Sequence, residues 1–207
     1  APVRRTILWY CPTWDGQVSS LHAESLARES VMSETLAGFV FGRHLPAMVA
    51  RREAVKQLRS QGGEFGAILF VDADVGFRDR AIGVSRPERS IVDRMAAMAI
   101  ERPCVPYGRM FWQSPTDPWN VRRSGDARDS ANRVVMSGAN LKLVTDRVWK
   151  TIAEAGFTFE HGDREDGPFS AACVAAGFEL RPVPELALWH DSAHRPPLLC
   201  SDPWEAP

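Results

Sequence analysis

Residues 67–77 read Ala67-Ile68-Leu69-Phe70-Val71-Asp72-Ala73-Asp74-Val75-Gly76-Phe77. Four apolar residues, Ile68 to Val71, run without a break into Asp72-Ala73-Asp74. An apolar run this short, rich in β-branched and aromatic side chains, suits a strand buried on both faces. Gly62-Gly63 halts whatever precedes it. Two carboxylates at i and i+2 therefore stand where a buried strand leaves its sheet. Open α/β sheets bind ligands at the carboxyl ends of their strands. Acids crowded there repel one another unless a cation joins them, and hard oxygen donors suit a divalent metal. The plainer alternative is a solvated loop whose two acids cap the next element. The remainder of the chain has to decide between the two.

Composition sets the frame. A chain of 207 residues has the size of one α/β domain. With 44% hydrophobic and 25% charged residues it can bury a full core and is no disordered tail. A net charge of −1 excludes a molecule that is a polyanion binder over its whole surface, while leaving a local basic face open. The basic residues are nearly all arginine, with lysine confined to Lys56, Lys142 and Lys150. Arginine suits bidentate phosphate contacts, although a GC-rich coding sequence would give the same bias. Cys11, Cys104, Cys173 and Cys200 are widely spaced and form no C-x-x-C pair. They read as reduced thiols, not as a zinc site or a disulfide framework. No stretch reads as a signal peptide, and none approaches the run of about eighteen apolar residues a membrane span needs. The expectation is a cytoplasmic protein, in the host cytoplasm if its source is a virus.

Outward from the central stretch, the chain alternates strands and helices. Thr6 to Tyr10 reads as the first strand and Cys11-Pro12-Thr13-Trp14-Asp15-Gly16 as a turn. Val18 to Met32 has helical spacing, with Val18, Leu21, Leu26 and Val31 expected inward. Leu36 to Phe41 reads as a second strand. Pro46 suits the first turn of a helix reaching about Gln61, with Met48, Val49, Val55 and Leu58 inward. Ile91 to Ile100 reads as a helix and Cys104 to Tyr107 as a strand. Val134 to Thr145 reads as a strand, and Asp146 as the cap of a helix packed through Val148, Trp149 and Ile152. The helix Ala171 to Ala176, Gly177 and a strand from Phe178 to Arg181 follow. Between them, Phe111 to Arg133 reads as irregular. From Tyr107 to Val134 there are five arginines against three aspartates, with Trp112 and Trp119 interleaved. Aromatics set between arginines can stack on a base or sugar and hold phosphate. Trp112, Arg122 and Arg123 are therefore candidate ligand-binding residues.

Taken in order, these segments resemble the GT-A glycosyltransferases, in particular a bacterial and phage subgroup of the family-2-like enzymes. The strand followed by Asp72-Ala73-Asp74 is similar to their metal motif. Pro12-Thr13 is similar to the Pro-Thr with which they begin. Ala50-Arg51-Arg52-Glu53-Ala54-Val55 resembles their A-R-N-x-x-V helix, with Arg52 standing where the asparagine would be. Val134 to Thr145 resembles their G-x-x-h-h-h strand, in which Gly138 keeps the wall of the site thin. Glu165-Asp166-Gly167-Pro168-Phe169 looks like the E-D-x-x-F motif that opens their last helix. Pro184 to His190 is similar to their closing P-x-x-x-x-x-H, with Trp189 where many relatives carry glycine. The resemblance spans Thr6 to Asp191.

It implies one α/β domain of GT-A, Rossmann-like form over residues 1–195, with a mostly parallel sheet, helices on both faces, and a proline-rich tail over 196–207. It implies an enzyme moving a sugar from a nucleotide-diphosphate donor to an acceptor hydroxyl. Asp72, Asp74 and His190 would hold Mn²⁺ or Mg²⁺, and Pro12, Thr13, Asp15, Arg51 and Ala73 would contact the donor. The acceptor hydroxyl must lose its proton as it attacks, which calls for a positioned carboxylate. Asp166 takes that role, with Glu165 its neighbour or substitute, and the reaction inverts. Gly138 joins Trp112, Arg122 and Arg123 on the acceptor side. The compact length and arginine-rich loop resemble phage enzymes that decorate hydroxymethylated pyrimidines in DNA; a surface glycan is the alternative acceptor. A non-catalytic nucleotide-sugar-binding module would keep the fold without the base. A haloacid-dehalogenase-type phosphatase also places D-x-D after a strand, but near its N-terminus and without Gly76 at the last motif position. A nucleotidyltransferase would need a Gly-rich, lysine-bearing N-terminal loop, which this chain lacks.

Overall fold

The apolar run at 67–71 becomes strand β3 (Ala67–Val71), and all five of its side chains are buried. A strand with no polar face must be covered on both sides, and here it lies inside a six-stranded sheet. The computed structural model describes residues 6–13, 16–42, 51–56, 66–79, 89–108, 110–113, 121–124, 127–137, 141–157, 166–184, 186–190 and 198–200. The chain opens with β1 (Ile7–Pro12), α1 (Ser20–Met32) and β2 (Leu36–Gly42). Residues 51–56 are helical and are called α2. After β3 come β4 (Val75–Asp79), α3 (Ile91–Glu101) and β5 (Cys104–Tyr107). Then follow β6 (Met110–Gln113), β7 (Val121–Ser124), β8 (Ala127–Arg128), β9 (Val134–Met136), β10 (Leu141–Thr145) and α4 (Asp146–Glu154). The last elements are α5 (Asp166–Ala175), β11 (Glu179–Pro182), β12 (Leu186–His190) and β13 (Leu198–Cys200).

The main sheet runs β11-β5-β10-β3-β1-β2. Its neighbours pair parallel except at β10, which is antiparallel to both β3 and β5. The result is a mostly parallel α/β sheet with helices on both faces. Successive residues of a strand face opposite ways, and this alternation sorts the core into two layers. One layer holds Trp9, Leu69, Val71, Val75, Phe77, Met95, Leu141, Leu143 and Leu188. The other holds Tyr10, Ile68, Phe70, Val105, Tyr107, Val144, Trp149, Ile152, Phe169 and Cys173, with α4 and α5 packed over it. A small sheet, β13-β12-β4, covers part of the first layer. No described helix is long and apolar enough to cross a membrane. The three described cysteine side chains, Cys11, Cys104 and Cys173, are buried free thiols.

Three local expectations give way to the structure. Helix α1 packs Leu26 only partly against the core, as Val18 does just before it, and leaves Val31 exposed; its fully buried residues are His22, Ser25 and Glu29. The reason is what it packs on. Glu29 accepts from Ser90 Oγ at 2.7 Å and from the Ile91 and Val92 amides, each at 3.2 Å, which satisfies donors left open at the start of α3. The stretch 111–133 is not irregular where it is described. β6 pairs with β7, and β8 with β9. Thr145, not Asp146, caps α4, its hydroxyl accepting from the Val148 amide.

Gly76 shows how tightly α1 sits. A Cβ built there would lie 2.6 Å from the Leu21 carbonyl oxygen, in helix backbone that cannot yield. At Gly38 the same atom meets nothing within 4 Å. Gly76→Ala is expected to lose about 1–3 kcal/mol in chemical denaturation, and Gly38→Ala to change stability by no more than about 0.5 kcal/mol.

Candidate functional site

The strand order reverses at β1, which has β2 on one side and β3 on the other. In doubly wound sheets the crevice at such a reversal, outside the carboxyl ends of the strands, is where ligands bind. Thr13 follows β1 there and Asp72 follows β3. Arg51 reaches in from α2, its Nη2 donating to Asp72 Oδ1 at 2.7 Å. The Arg51 side chain is 5% exposed and that of Asp72 27%, so the pair has a dry side and a wet side. The Arg51 guanidinium also lies over the Phe70 ring, 5.7 Å from its centroid.

Helix α1 grips the acidic turn by its backbone. Its cap, Ser19, donates its amide to the Ala73 carbonyl at 2.8 Å. His22 places Nδ1 3.0 Å from the Asp72 carbonyl, while Trp9 Nε1 donates to His22 Nε2 at 3.3 Å. With Nε2 accepting, the ring proton is on Nδ1 and goes to Asp72. The Val75 amide donates to the same carbonyl at 3.1 Å. Further along, Ser25 Oγ both accepts from the Phe77 amide at 2.8 Å and donates to its carbonyl at 3.3 Å. Arg28 adds a donor to that carbonyl. Helix and turn are thus joined through groups that would otherwise be buried without partners, each bond worth about 1 kcal/mol net.

Burial raises the Cys11 thiol pKa first, and the Asp72 and Asp74 carboxylates raise it further, against a smaller opposite effect of Arg51. Both acids therefore act on the end of β1, and one guanidinium does not cancel them. Tyr10, on the same strand, is pushed up to about 12, chiefly by burial. Among the described side chains no three of His, Cys, Asp and Glu gather into a closed metal cage. Two half-buried carboxylates instead form an open set of hard oxygen donors. That set fits a Mg²⁺- or Mn²⁺-type ion bound through one or two carboxylates, with the shell completed by a ligand's phosphates and water. Thr13 adds a hydroxyl that is buried and has no hydrogen-bond partner, although its amide donates to Gly42. Pro12 is the last residue of β1, and Ala73 lies between the two acids.

The other expected residues fall as follows. Asp166 is the first residue of α5. That helix meets the Asp72 face of the sheet through an aromatic chain, with Phe169 and Trp149 ring centroids 5.5 Å apart and Trp149 and Phe70 6.0 Å apart. His190 ends β12 in register with Val75, the residue after Asp74. By backbone position, the acidic turn and the end of β12 share one end of the sheet, on whose Asp72 face α5 begins. Trp112 stands opposite Arg122 in the β6–β7 pair, and Phe111 opposite Arg123. Asp15, Gly138 and Glu165 lie outside the described residues. Sequence reading passed over His22, Ser25 and Lys142. His22, Ser25 and Glu29, at i, i+3 and i+7, form a polar stripe along one face of α1.

No family model matches the sequence, and no curated protein matches it well enough to count as a relative. Among solved structures, the chain is similar to protein A197 from STIV, with 15% identity, 95% of each chain covered and a TM-score of 0.61. That likeness shows a shared fold. Looser matches include a glycosyltransferase involved in glycosylating the major capsid of PBCV-1, with 10% identity, 86% of this chain and 81% of that one covered, and a TM-score of 0.40. Another is 4-diphosphocytidyl-2C-methyl-D-erythritol synthase from Anaerococcus prevotii, with 7% identity, 86% and 88% covered, and a TM-score of 0.43. Superpositions this loose say nothing of chemistry.

Burial lowers the His22 pKa from 6.5 more than its hydrogen bonds raise it. The folded state thus keeps His22 neutral while the unfolded chain takes up a proton. Its contribution is intact above pH 6.5 and is lost as pH falls below it. Wild type should lose Tm more steeply than His22→Asn between pH 7 and pH 5, measured by calorimetry; parallel slopes would contradict this.

Proposed function

We propose that this chain is a GT-A-type glycosyltransferase that takes a nucleotide-diphosphate sugar at the crevice between β1 and β3. The observation carrying the reading is the Asp72-Ala73-Asp74 turn at the strand-order reversal, held by α1 and Arg51 and faced by the helix that Asp166 opens. The binding-module alternative would keep the turn and leave Asp166 as an acid suited to a helix N-terminus, with no role as a base.

In this reading Asp72 and Asp74, with His190, hold a Mn²⁺ or Mg²⁺, which would serve as a Lewis acid toward the departing diphosphate. Arg51 fixes the rotamer of Asp72 by holding its Oδ1. Thr13 offers its buried hydroxyl to the donor, beside Pro12 and Ala73. The α1 contacts keep the turn from relaxing when charge enters the site, so little reorganisation accompanies binding. Asp166 accepts the proton of the acceptor hydroxyl as it attacks, and transfer proceeds with inversion. For the acceptor, the arginines opposite Trp112 and Phe111 favour a polyanion carrying an alcohol, a hydroxymethylated pyrimidine in DNA, over a neutral glycan.

A panel of nucleotide sugars with Mn²⁺ should raise the Tm of the wild type for one donor, with slow donor hydrolysis. Asp72→Asn should abolish the metal-dependent shift. Asp166→Asn should keep it and lose about 10²–10⁴-fold in turnover. A shift undiminished in Asp72→Asn would sink the site. Acceptor affinity should fall steeply with salt if the acceptor is DNA, and a flat dependence would point to a glycan.

A further inference from the structure

Among the described strands the main sheet ends at β11, with β5 and β10 between it and β3. Beside β11 lies a cleft of about 450 Å³, a volume usual for small-molecule sites. One wall is the β8–β9 hairpin, through Arg128, Asn132 and Arg133. The rest is mainly apolar, from Val134, Val174 of α5, Phe178 and Leu180. Val134, Phe178 and Leu180 belong to the core layer under α4 and α5, so this floor is firmly packed from below.

The hairpin tip is braced by its own side chains. Asp129 Oδ1 accepts from the Ala131 and Arg133 amides at 3.0 and 2.9 Å, and its Oδ2 from Arg133 Nε at 2.8 Å. Arg128 Nη1 donates to the Asn132 carbonyl at 2.6 Å, and Asn132 takes a left-handed φ of 61°. Both guanidiniums are thus held in place, but their charges are met differently. Arg133 has the Asp129 carboxylate against it, at 2.7 Å. Arg128 is half-buried and meets no carboxylate among the described residues; its Nε is buried without a hydrogen-bond partner there. Glu179 also borders the cleft, but Leu180 faces the inner layer, so its strand neighbour Glu179 projects from the other face of β11. A guanidinium short of acceptors, on a rigid polar wall above an apolar floor, suits an oxyanion carried on a body with an apolar face.

We propose that this cleft is a ligand site in its own right, in which Arg128 holds the phosphate or carboxylate of a small molecule whose apolar part lies on Val174, Phe178 and Leu180. For a guanidinium the two groups are one chemistry, paired N–H donors against paired oxygens. The site is apart from the crevice between β1 and β3 and does not rest on the reading given to that crevice.

The test follows backbone amide shifts by NMR during titrations with phenyl phosphate, benzoate, inorganic phosphate and phenol, at low salt and with EDTA present. Phenyl phosphate or benzoate should move the amides of Asn132, Val134, Gly177 and Leu180, and the tighter of the two names the oxyanion. Inorganic phosphate and phenol each offer half of the contacts and should bind about tenfold more weakly or worse. Arg128→Gln should weaken the tighter ligand about tenfold or more. Val174→Phe, which fills the floor from α5 without touching the hairpin, should weaken it as well, so the proposal stays testable if Arg128→Gln loosens the tip. Asp72→Asn should leave every titration unchanged. Failure of both organic ligands to bind overturns the proposal. So does equal binding to wild type and Val174→Phe, or to wild type and an Arg128→Gln whose hairpin amides are in place. Shifts confined to Thr13 and Asp72 overturn it too, by placing the anion in the other crevice.

Discussion

Two carboxylates at the end of one strand repel each other, and a buried guanidinium, that of Arg51, meets one of them, Asp72. At 2.7 Å, with the guanidinium almost wholly buried, this contact is no surface ion pair of negligible worth. Removing either partner would leave a desolvated charge behind. The Phe70 ring under the guanidinium supports it from β3 itself, so the strand carrying the acids also holds their counter-ion in place. The charge of both acids reaches the Cys11 thiol at the end of β1 and helps to raise it, beyond what Arg51 offsets.

The fixing of the turn is a separate matter from its charge. Charge is handled on the face of β3 that Phe70 occupies. Geometry is handled from the opposite face, where α1 lays Ser19, His22 and Ser25 against main-chain groups from Asp72 to Phe77. Gly76 lets the helix backbone approach closely enough for this, as its missing Cβ shows. A helix that packed through leucines would bury more apolar area and leave those carbonyls and amides without partners. Here hydrogen bonding outweighs hydrophobic contact, because an unsatisfied buried carbonyl costs about as much as the lost apolar contact would return.

That trade also explains what could be read from the chain alone. The strand 67–71, the helix at 91–101 and the end of α5 at Gly177 follow rules local to a few residues: an unbroken apolar run, helical spacing, a glycine that ends a helix. Their places were legible. The inward face of α1 was not, because its partners lie some fifty residues away, at Asp72 and Phe77. Nothing near Ser25 announces that a distant strand needs a donor. Lys142 was hidden for the same reason; a charged residue in an apolar strand looks like a strand edge until the sheet order puts β10 at its centre. The hairpin Met110–Ser124 was missed because proline and glycine near its ends outweighed a weak alternation along its strands.

The two faces of β3 divide the work, and Asp72 belongs to both. Its carboxylate faces Arg51 on one side, while its carbonyl is held from the other by His22 and Val75. A residue bound at both its side chain and its main chain has few ways to adjust when a ligand arrives. Preorganisation of that sort fixes the turn whatever the crevice beside it holds. The arrangement is hard to account for as a cap on the next element. A capping acid needs a single amide to accept from and no buried arginine, no neutral histidine and no glycine admitting a helix backbone to contact. The physical expense of the turn argues that the crevice beside it is a binding site.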